Sequence, residues 1–343
     1  MKRIVVTGGA GFIGSHIVDH FCEVFPKATV VVLDKMTYAA DIRNILHRIE
    51  SRQVELVVGD ICHTDSCLRA VEGADLVIHA AAESHVCNSF NNSFEFTRTN
   101  VLGTHCLMEA AKRAGVPKII HVSTDEVYGE VNEGSAHEDS PLRPTSPYSA
   151  SKAGAEMIIS GYLKSFHLPV VTVRANNIFG TRQYPEKIIP KFTLSLLTGA
   201  PLTLHGSGQN RRHYLCARDF ARALEILAVQ GEIGGIYNIG TVEEYTNLEM
   251  ASLLCAVFGL DAKSVITFVS DRPFNDFRYA VDWSKISALD WAPRRSLRQA
   301  LPEVVRWYAD NLFRYPKAGP CVRKPVLDVL SDVQDVSALR KTA

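Results

Sequence analysis

The stretch STDEVYG (123–129) follows the apolar run KIIHV and sets two carboxylates, Asp125 and Glu126, side by side where a strand should end. Two close carboxyls in a partly dry pocket cannot both ionise easily, because the charge on one raises the pKa of the other. Such a pair can supply an acid and a base to one reaction. Twenty-two residues beyond Glu126, the segment YSASK carries Tyr148 and Lys152, four apart, so that on a helix the phenol and the ammonium share a face. A nearby cation lowers a phenol's pKa toward the working range, making Tyr148 a candidate base for a hydroxyl proton. A third group opens the chain. TGGAGFIG places Gly8, Gly11 and Gly14 between a strand-like run and a helical pattern, and Asp34 ends the next strand-like run 20 residues beyond Gly14. Glycines there let a pyrophosphate approach a helix N-terminus, while a carboxylate at that distance suits a ribose 2′-hydroxyl and repels a 2′-phosphate. The expected cofactor is therefore NAD.

These groups need a scaffold. RIVVTG, TVVVLD, VELVVGD, ADLVIHA, KIIHVSTD and PVVTVRA read as six buried strands, and helical patterns fall at 12–25, 64–72, 97–114 and 148–166. Repeated alternation of strand and helix predicts an α/β fold with a parallel, doubly wound sheet covered on both faces. After about residue 176 the regularity fails and Pro, Gly and charge increase, as expected of a smaller, irregular substrate region. Residues 316–343 are only weakly periodic and read as an appended tail.

Composition excludes several classes. With 37 basic and 37 acidic residues there is no overall field to attract nucleic acid or an acidic membrane surface. No apolar run reaches the length of about 20 residues that a membrane span needs. MKRIVVTGG runs straight into a strand-like segment, so no signal peptide is expected within it. The eight cysteines are scattered and lack CxxC spacing, which predicts reduced thiols in a soluble, cytoplasmic protein without a metal site.

The order and spacing of TGGAGFIG, Asn100 with VLGT, STDEVYG and YSASK resemble the extended short-chain dehydrogenase/reductase family over about residues 1–315. LDKMTYA, HAAAESHV, NNIFG followed by YPEKIIP, GSGQNRRHYL and RPFNDFRYAVD narrow the resemblance to the nucleoside-diphosphate-glucose 4,6-dehydratases. It implies a Rossmann domain over 1–175 with a returning segment at about 212–245, and a nucleotide-sugar domain over 176–211 and 246–315. The implied cofactor contacts are Gly8, Gly11, Phe12, Ile13, Gly14, Asp34, Lys35, Asp60, Ile61, Ala80 and Ala82, with Tyr148 and Lys152. Implied substrate contacts are Ser84, His85, Thr124, Asn177, Glu186, Lys187, Arg212, Asn247 and Arg278. In the implied reaction Tyr148 takes the C4 hydroxyl proton as hydride leaves C4. Glu126 then removes the C5 proton, Asp125 protonates the departing C6 hydroxyl, Thr124 polarises the C4 oxygen, and hydride returns to C6. The substrate is dTDP-glucose or UDP-glucose, and the helices 97–114 and 148–166 are expected to build a homodimer interface.

Some positions stay open or depart from the pattern. Asp60 suits either an adenine contact or a simple turn, and His85 either the pocket or a structural hydrogen bond. Cys87-Asn88-Ser89 stands where many relatives have Asp-Arg-Ser, Asn275-Asp276 where bacterial thymidine-sugar enzymes often have His-Asp, and Glu243 where Asn is frequent. An epimerase or decarboxylase using the same Tyr148 and Lys152, or a non-catalytic NAD-binding protein, are the competing readings.

Overall fold

The computed structural model describes residues 1–271 and 275–325, so residues 272–274 of the RPFNDFRYAVD segment and 326–343 of the expected tail lie outside the described residues. In chain order the strands are β1 (Arg3–Thr7), β2 (Thr29–Asp34), β3 (Val54–Val58), β4 (Leu76–His79), β5 (Ile119–Thr124), β6 (Val170–Ala175), β7 (Asn177–Phe179), β8 (Leu202–His205), β9 (Arg211–Cys216), β10 (Ile236–Ile239), β11 (Glu244–Thr246) and β12 (Ile266–Val269). Seven of them form one sheet in the order β10-β6-β5-β4-β1-β2-β3, and every pairing in it is parallel. Strand order reverses beside β1, so the crevice at the carboxyl ends of β1 and β4 is where a ligand of such a sheet binds.

All six expected strands form, and the continuous apolar runs explain why. Ile4, Val5, Val6, Val30, Val31, Val32, Leu76, Val77 and Ile78 are completely buried, in two cores on opposite faces of the sheet. The expectation of burial fails at β3, whose Val58 is exposed, because β3 is the sheet's edge and has one neighbour only. The seventh strand, β10, was legible only as part of the returning segment 212–245; its four residues are too few to carry a periodic signal.

The helices Phe12–Val24, Thr64–Val71 and Pro147–Phe166 stand where the 3.6-residue pattern puts them. The expected helix 97–114 is instead a π-helical turn, Thr97–Leu102, running into an α-helix, Gly103–Ala114. Asn100 accounts for the local widening: its side chain is turned inward to bond the Glu83 backbone and Ser151. Such π-bulges concentrate at functional sites.

Two compact units divide the chain. The first comprises 1–184, 212–244 and 276–294 and contains the seven-stranded sheet; the second comprises 185–211 and the described residues of 245–275 and 295–325. Residues 276–294 thus associate with the sheet unit, whereas the sequence reading grouped them with 246–315. Within the second unit β8 and β12 pair in parallel, and the helices Ile188–Thr198, Asn247–Val257 and Leu297–Asp310 pack together.

Candidate active site

At the carboxyl end of β1 the chain turns tightly. Gly8 has φ +73° and lies so close to the segment after β4 that a Cβ there would stand 2.8 Å from the Ala81 Cα. A Cβ on Gly14 would stand 2.0 Å from the Gly8 carbonyl oxygen, so only glycine lets helix Phe12–Val24 start against the loop. No side chain caps that helix and no acid occupies its first turn, leaving the amides of Phe12 and Ile13 at its positive end. Asp34, buried at the end of β2, accepts from the Ala10 N–H at 3.0 Å and the Met36 N–H at 2.8 Å. Burial raises its pKa, and these backbone bonds oppose the rise. The cradle, the open helix end and the fixed carboxylate fit a dinucleotide with a free 2′-hydroxyl. Asp60 accepts from the Cys62 N–H and pairs with Lys35 at 3.0 Å. Burial pushes its carboxyl up, and the Cys62 and Lys35 contacts more than offset this. Ile61 packs beneath Gly103, and Ala80 and Ala82 follow the end of β4 within the same crevice wall.

Strand β5 delivers the second group. Thr124 ends β5 and caps a 3₁₀ turn, Asp125–Tyr128, by accepting from the Glu126 N–H at 3.3 Å. Asp125 is 3% exposed; Asn176 Nδ2 donates to its Oδ2 at 2.8 Å and Thr124 Oγ1 lies 3.3 Å from its Oδ1. The orientation of the Asn176 amide is fixed, because its Oδ1 accepts from the Thr241 N–H. Both oxygens face a donor, but the Thr124 hydroxyl that donates to Oδ1 can turn to accept whereas the Asn176 amide N–H on Oδ2 cannot, so a proton on Asp125 belongs on Oδ1. Burial, opposed by Asn176, Arg212 and Thr124, pushes the Asp125 pKa up to about 6. Asp125 is thus suited to be the acid. Glu126, its neighbour, is half-buried.

Helix Pro147–Phe166 brings the third group. Ser146 and Ser149 form a capping box and Pro147 occupies the first turn, which fixes where the helix begins and so where Tyr148 points. Lys152 is buried and donates from Nζ to the Val122 carbonyl at 2.6 Å; burial lowers its pKa to about 8 against the field of Glu156. Burial and the charge of Glu126 raise the Tyr148 phenol, a hydrogen bond with Thr124 lowers it, and the charge of Asp125 raises it again. The contact with Thr124 nonetheless joins the tyrosine to the acid–base turn. Asn100 supports the arrangement by bonding Ser151, which itself bonds the Tyr148 carbonyl.

Arg212 comes close enough to act on Asp125, but its own donors go to the Asp276 carbonyl (2.9 Å) and the Phe277 carbonyl (3.2 Å), with Tyr279 stacked beneath at 4.5 Å. Arg278, expected on a phosphate, gives Nε to Glu244 and NH1 to the carbonyls of Val131 and Gly134. Asn177 begins β7 and pairs in register with Tyr214; the residue that reaches the Asp125 carboxyl is its neighbour Asn176. Tyr279, whose phenol is raised by burial and by Glu126 and which bonds Asp276, was likewise not singled out from sequence. No local signal marks either residue, because each reaches the site from far along the chain. Ser84 is exposed and His85 precedes the short helix Val86–Asn91. Glu186, Lys187 and Asn247 belong to the second unit. Lys187 precedes helix Ile188–Thr198, and Asn247 opens the next, with its N–H on the Asn210 carbonyl.

A family model described as GDP-mannose 4,6 dehydratase matches residues 5–304. The chain is 46% identical over 316 residues to a trifunctional UDP-glucose 4,6-dehydratase/UDP-4-keto-6-deoxy-D-glucose 3,5-epimerase/UDP-4-keto-L-rhamnose-reductase of Arabidopsis thaliana; 90% of this chain is covered but only 47% of that protein, so the chain spans about half the length of that relative. It is 41% identical over 324 residues to the dTDP-D-glucose 4,6-dehydratase of Mus musculus, covering 92% of this chain and 91% of that one. Among solved structures, DesIV, a dTDP-glucose 4,6-dehydratase from Streptomyces venezuelae with NAD and TYD bound, superposes with a TM-score of 0.89 at 40% identity, covering 92% of this chain and 100% of that one. A glycine cradle, an adjacent acid and base, and a tyrosine four residues before a buried lysine thus sit in a chain that belongs to the extended short-chain dehydrogenase/reductases, in the family of nucleoside-diphosphate-sugar 4,6-dehydratases.

Proposed function

We propose that this protein removes water from a nucleoside-diphosphate glucose, dTDP-glucose or UDP-glucose, giving the 4-keto-6-deoxy sugar. The observation that carries this reading is Asp125: a carboxyl buried and raised to about 6, one residue from a half-buried carboxylate and joined through Thr124 to Tyr148. Simple redox exchange at C4 needs no such acid. Gly8, Gly11, Gly14, the first amides of helix Phe12–Val24 and Asp34 would hold NAD, with Lys35, Asp60, Ile61, Ala80 and Ala82 around it; the chemistry it supplies when bound is reversible hydride acceptance.

The chain's own residues move the protons. Tyr148, in its phenolate form, takes the C4 hydroxyl proton while Thr124 holds the C4 oxygen, and the sugar becomes a 4-ketone. Protonated Asp125 carries no charge and so leaves burial and Glu126 opposing ionisation of the phenol, which ties the acid's state to the base's readiness. The ketone acidifies C5. Glu126 removes that proton, and Asp125 gives its own to the C6 hydroxyl, which departs as water. With reduction at C6, Glu126 gives the proton it holds to C5, and the turnover closes as Tyr148 releases the C4 hydroxyl proton and Asp125 takes one up, restoring base and acid.

Ser84, His85, Asn177, Glu186, Lys187, Arg212, Asn247 and Arg278 are assigned to the sugar and its diphosphate. Exposed apolar side chains on neighbouring helical segments, Phe94, Leu102, Met157 and Phe166, support a homodimer face. No helix among the described residues is long and apolar enough to cross a membrane, in keeping with a soluble cytoplasmic enzyme. The test is incubation with dTDP-glucose and UDP-glucose in deuterated water. Loss of water with deuterium at C5 is expected; epimerised sugar without loss of water would overturn the reading. Sedimentation of the intact chain at about its dimer mass, and at monomer mass for Met157→Glu, checks the homodimer.

A further inference from the structure

Behind the catalytic groups, and entirely within the sheet unit, lies a buried polar network that the reaction does not use directly. Glu156, on helix Pro147–Phe166 one turn beyond Lys152, accepts from Ser123 Oγ at 2.5 Å. It also accepts from Arg174, on β6: Nε lies 3.2 Å from both carboxylate oxygens and NH2 lies 2.6 Å from Oε2. Arg174 NH1 continues to the Tyr128 hydroxyl at 2.8 Å and the Glu138 carbonyl at 3.0 Å, and its guanidinium stacks 4.8 Å from the Tyr128 ring. The Tyr128 hydroxyl then donates to Asn238 Oδ1, on β10, at 2.7 Å. Asn238 is itself held by the Glu138 carboxylate and by the carbonyls of Ala136 and Asp282.

The placement of the ends of this network is informative. Ser123 immediately precedes Thr124, and Tyr128 closes the 3₁₀ turn that carries Asp125 and Glu126, so the network grips the acid–base segment on both sides. Its other end is the helix bearing Tyr148 and Lys152. A buried ion pair is costly to desolvate, and this one gains nothing a set of apolar side chains could not match in stability alone. A satisfied buried network does, however, fix geometry in a way packing does not.

We propose that Tyr128, Arg174 and Glu156 are positioning residues that hold the acid–base turn and the Tyr148–Lys152 helix in one register, with the Tyr128 end governing elimination and the Glu156 end governing the initial oxidation. This rests on the dehydratase reading above. Misplacing a reacting group by about 1 Å can cost on the order of a hundredfold in rate, so loss of one anchor is expected to cost about tenfold. The full-length protein, as Tyr128→Phe and as Glu156→Gln, is to be mixed with dTDP-glucose or UDP-glucose. The near-ultraviolet absorbance of reduced nicotinamide is followed through a single turnover, and amide hydrogen exchange of residues 125–129 is measured without substrate.

Tyr128→Phe is expected to slow water loss about tenfold while leaving the first oxidation within about twofold, so reduced nicotinamide accumulates, and to speed exchange in 125–129. Glu156→Gln is expected to slow appearance of reduced nicotinamide about tenfold, with no accumulation and with 125–129 still protected. Should Glu156→Gln not fold, because Arg174 is left uncompensated, Glu156→Asp keeps a charge opposite Arg174 and leaves the Arg174–Tyr128 contact in place while shortening the reach from the helix, and should show the same kinetic signature. The same signature from both ends, or an altered melting temperature with unchanged rates and unchanged exchange, overturns the proposal. If the unaltered protein dehydrates neither sugar, the functional reading fails instead, and the exchange contrast alone decides the positioning claim.

Discussion

The two ends of the catalytic crevice are built by different means. At the dinucleotide end the backbone does the recognising: a Cβ on Gly14 would strike the Gly8 carbonyl, helix amides stand open, and Asp34 is fixed by the N–H groups of Ala10 and Met36, all within 29 residues from Gly8 to Met36. At the carboxylate end side chains do it, and their supports come from far away. Asp125 is met by Asn176, Asn176 by Thr241, and Arg212 bears on both the acid and Tyr279. The first end is local and tolerates little change of shape. The second is assembled across the sheet and tuned by charge, so substitutions there should alter chemistry before they alter binding.

That contrast can be broken or sharpened by substitution. The largest effect is expected from Tyr148→Phe, which removes the base for the C4 hydroxyl. Turnover should fall by about a thousandfold, and no reduced nicotinamide should appear on mixing with substrate. Asp125→Asn should lower turnover by about a hundredfold, yet reduced nicotinamide should form and persist because oxidation precedes the blocked step. Failure at hydride removal would show that Asp125 is not the acid. Asp34→Asn should weaken NAD affinity by about tenfold, the worth of one charge-assisted hydrogen bond, with turnover at saturating NAD nearly unchanged. The smallest effect is a shift of pH dependence. Asn176→Asp replaces a donor to Asp125 with an anion while still accepting from the Thr241 N–H, so the Asp125 pKa rises. Because elimination needs the protonated acid, activity that falls as pH rises through that pKa should fall about one unit later in this variant.

The same contrast explains how far the sequence could be read. Six strands, four helical patterns and the glycine loop were legible because each is encoded by residues near one another: continuous Val and Ile runs, a 3.6-residue period, a turn that only glycine allows. STDEVYG and YSASK stand out as candidate chemistry for the same reason. Asn176 does not, since an Asn beside a second Asn at a strand end carries no local mark of the carboxyl it reaches. Nor does anything in RPFNDFRYAVD announce the partners of Arg278, which are Glu244 and the carbonyls of Val131 and Gly134. Spacing shows that Lys152 shares the face of Tyr148, but not that burial and the charge of Glu126 act on the phenol. The π-helical turn at Thr97–Leu102 depends on Asn100 reaching Glu83 and Ser151, contacts no helical period can show.

The central claim is that Asp125 is held as an acid at the oxygen facing Thr124. Difference infrared spectroscopy of the unaltered protein against Asp125→Asn, titrated through the carboxyl range, reads its protonation directly. The account predicts a protonated carboxyl band, absent in the variant, that is half lost near pH 6; a group already half ionised near its ordinary value of 3.8 would contradict it.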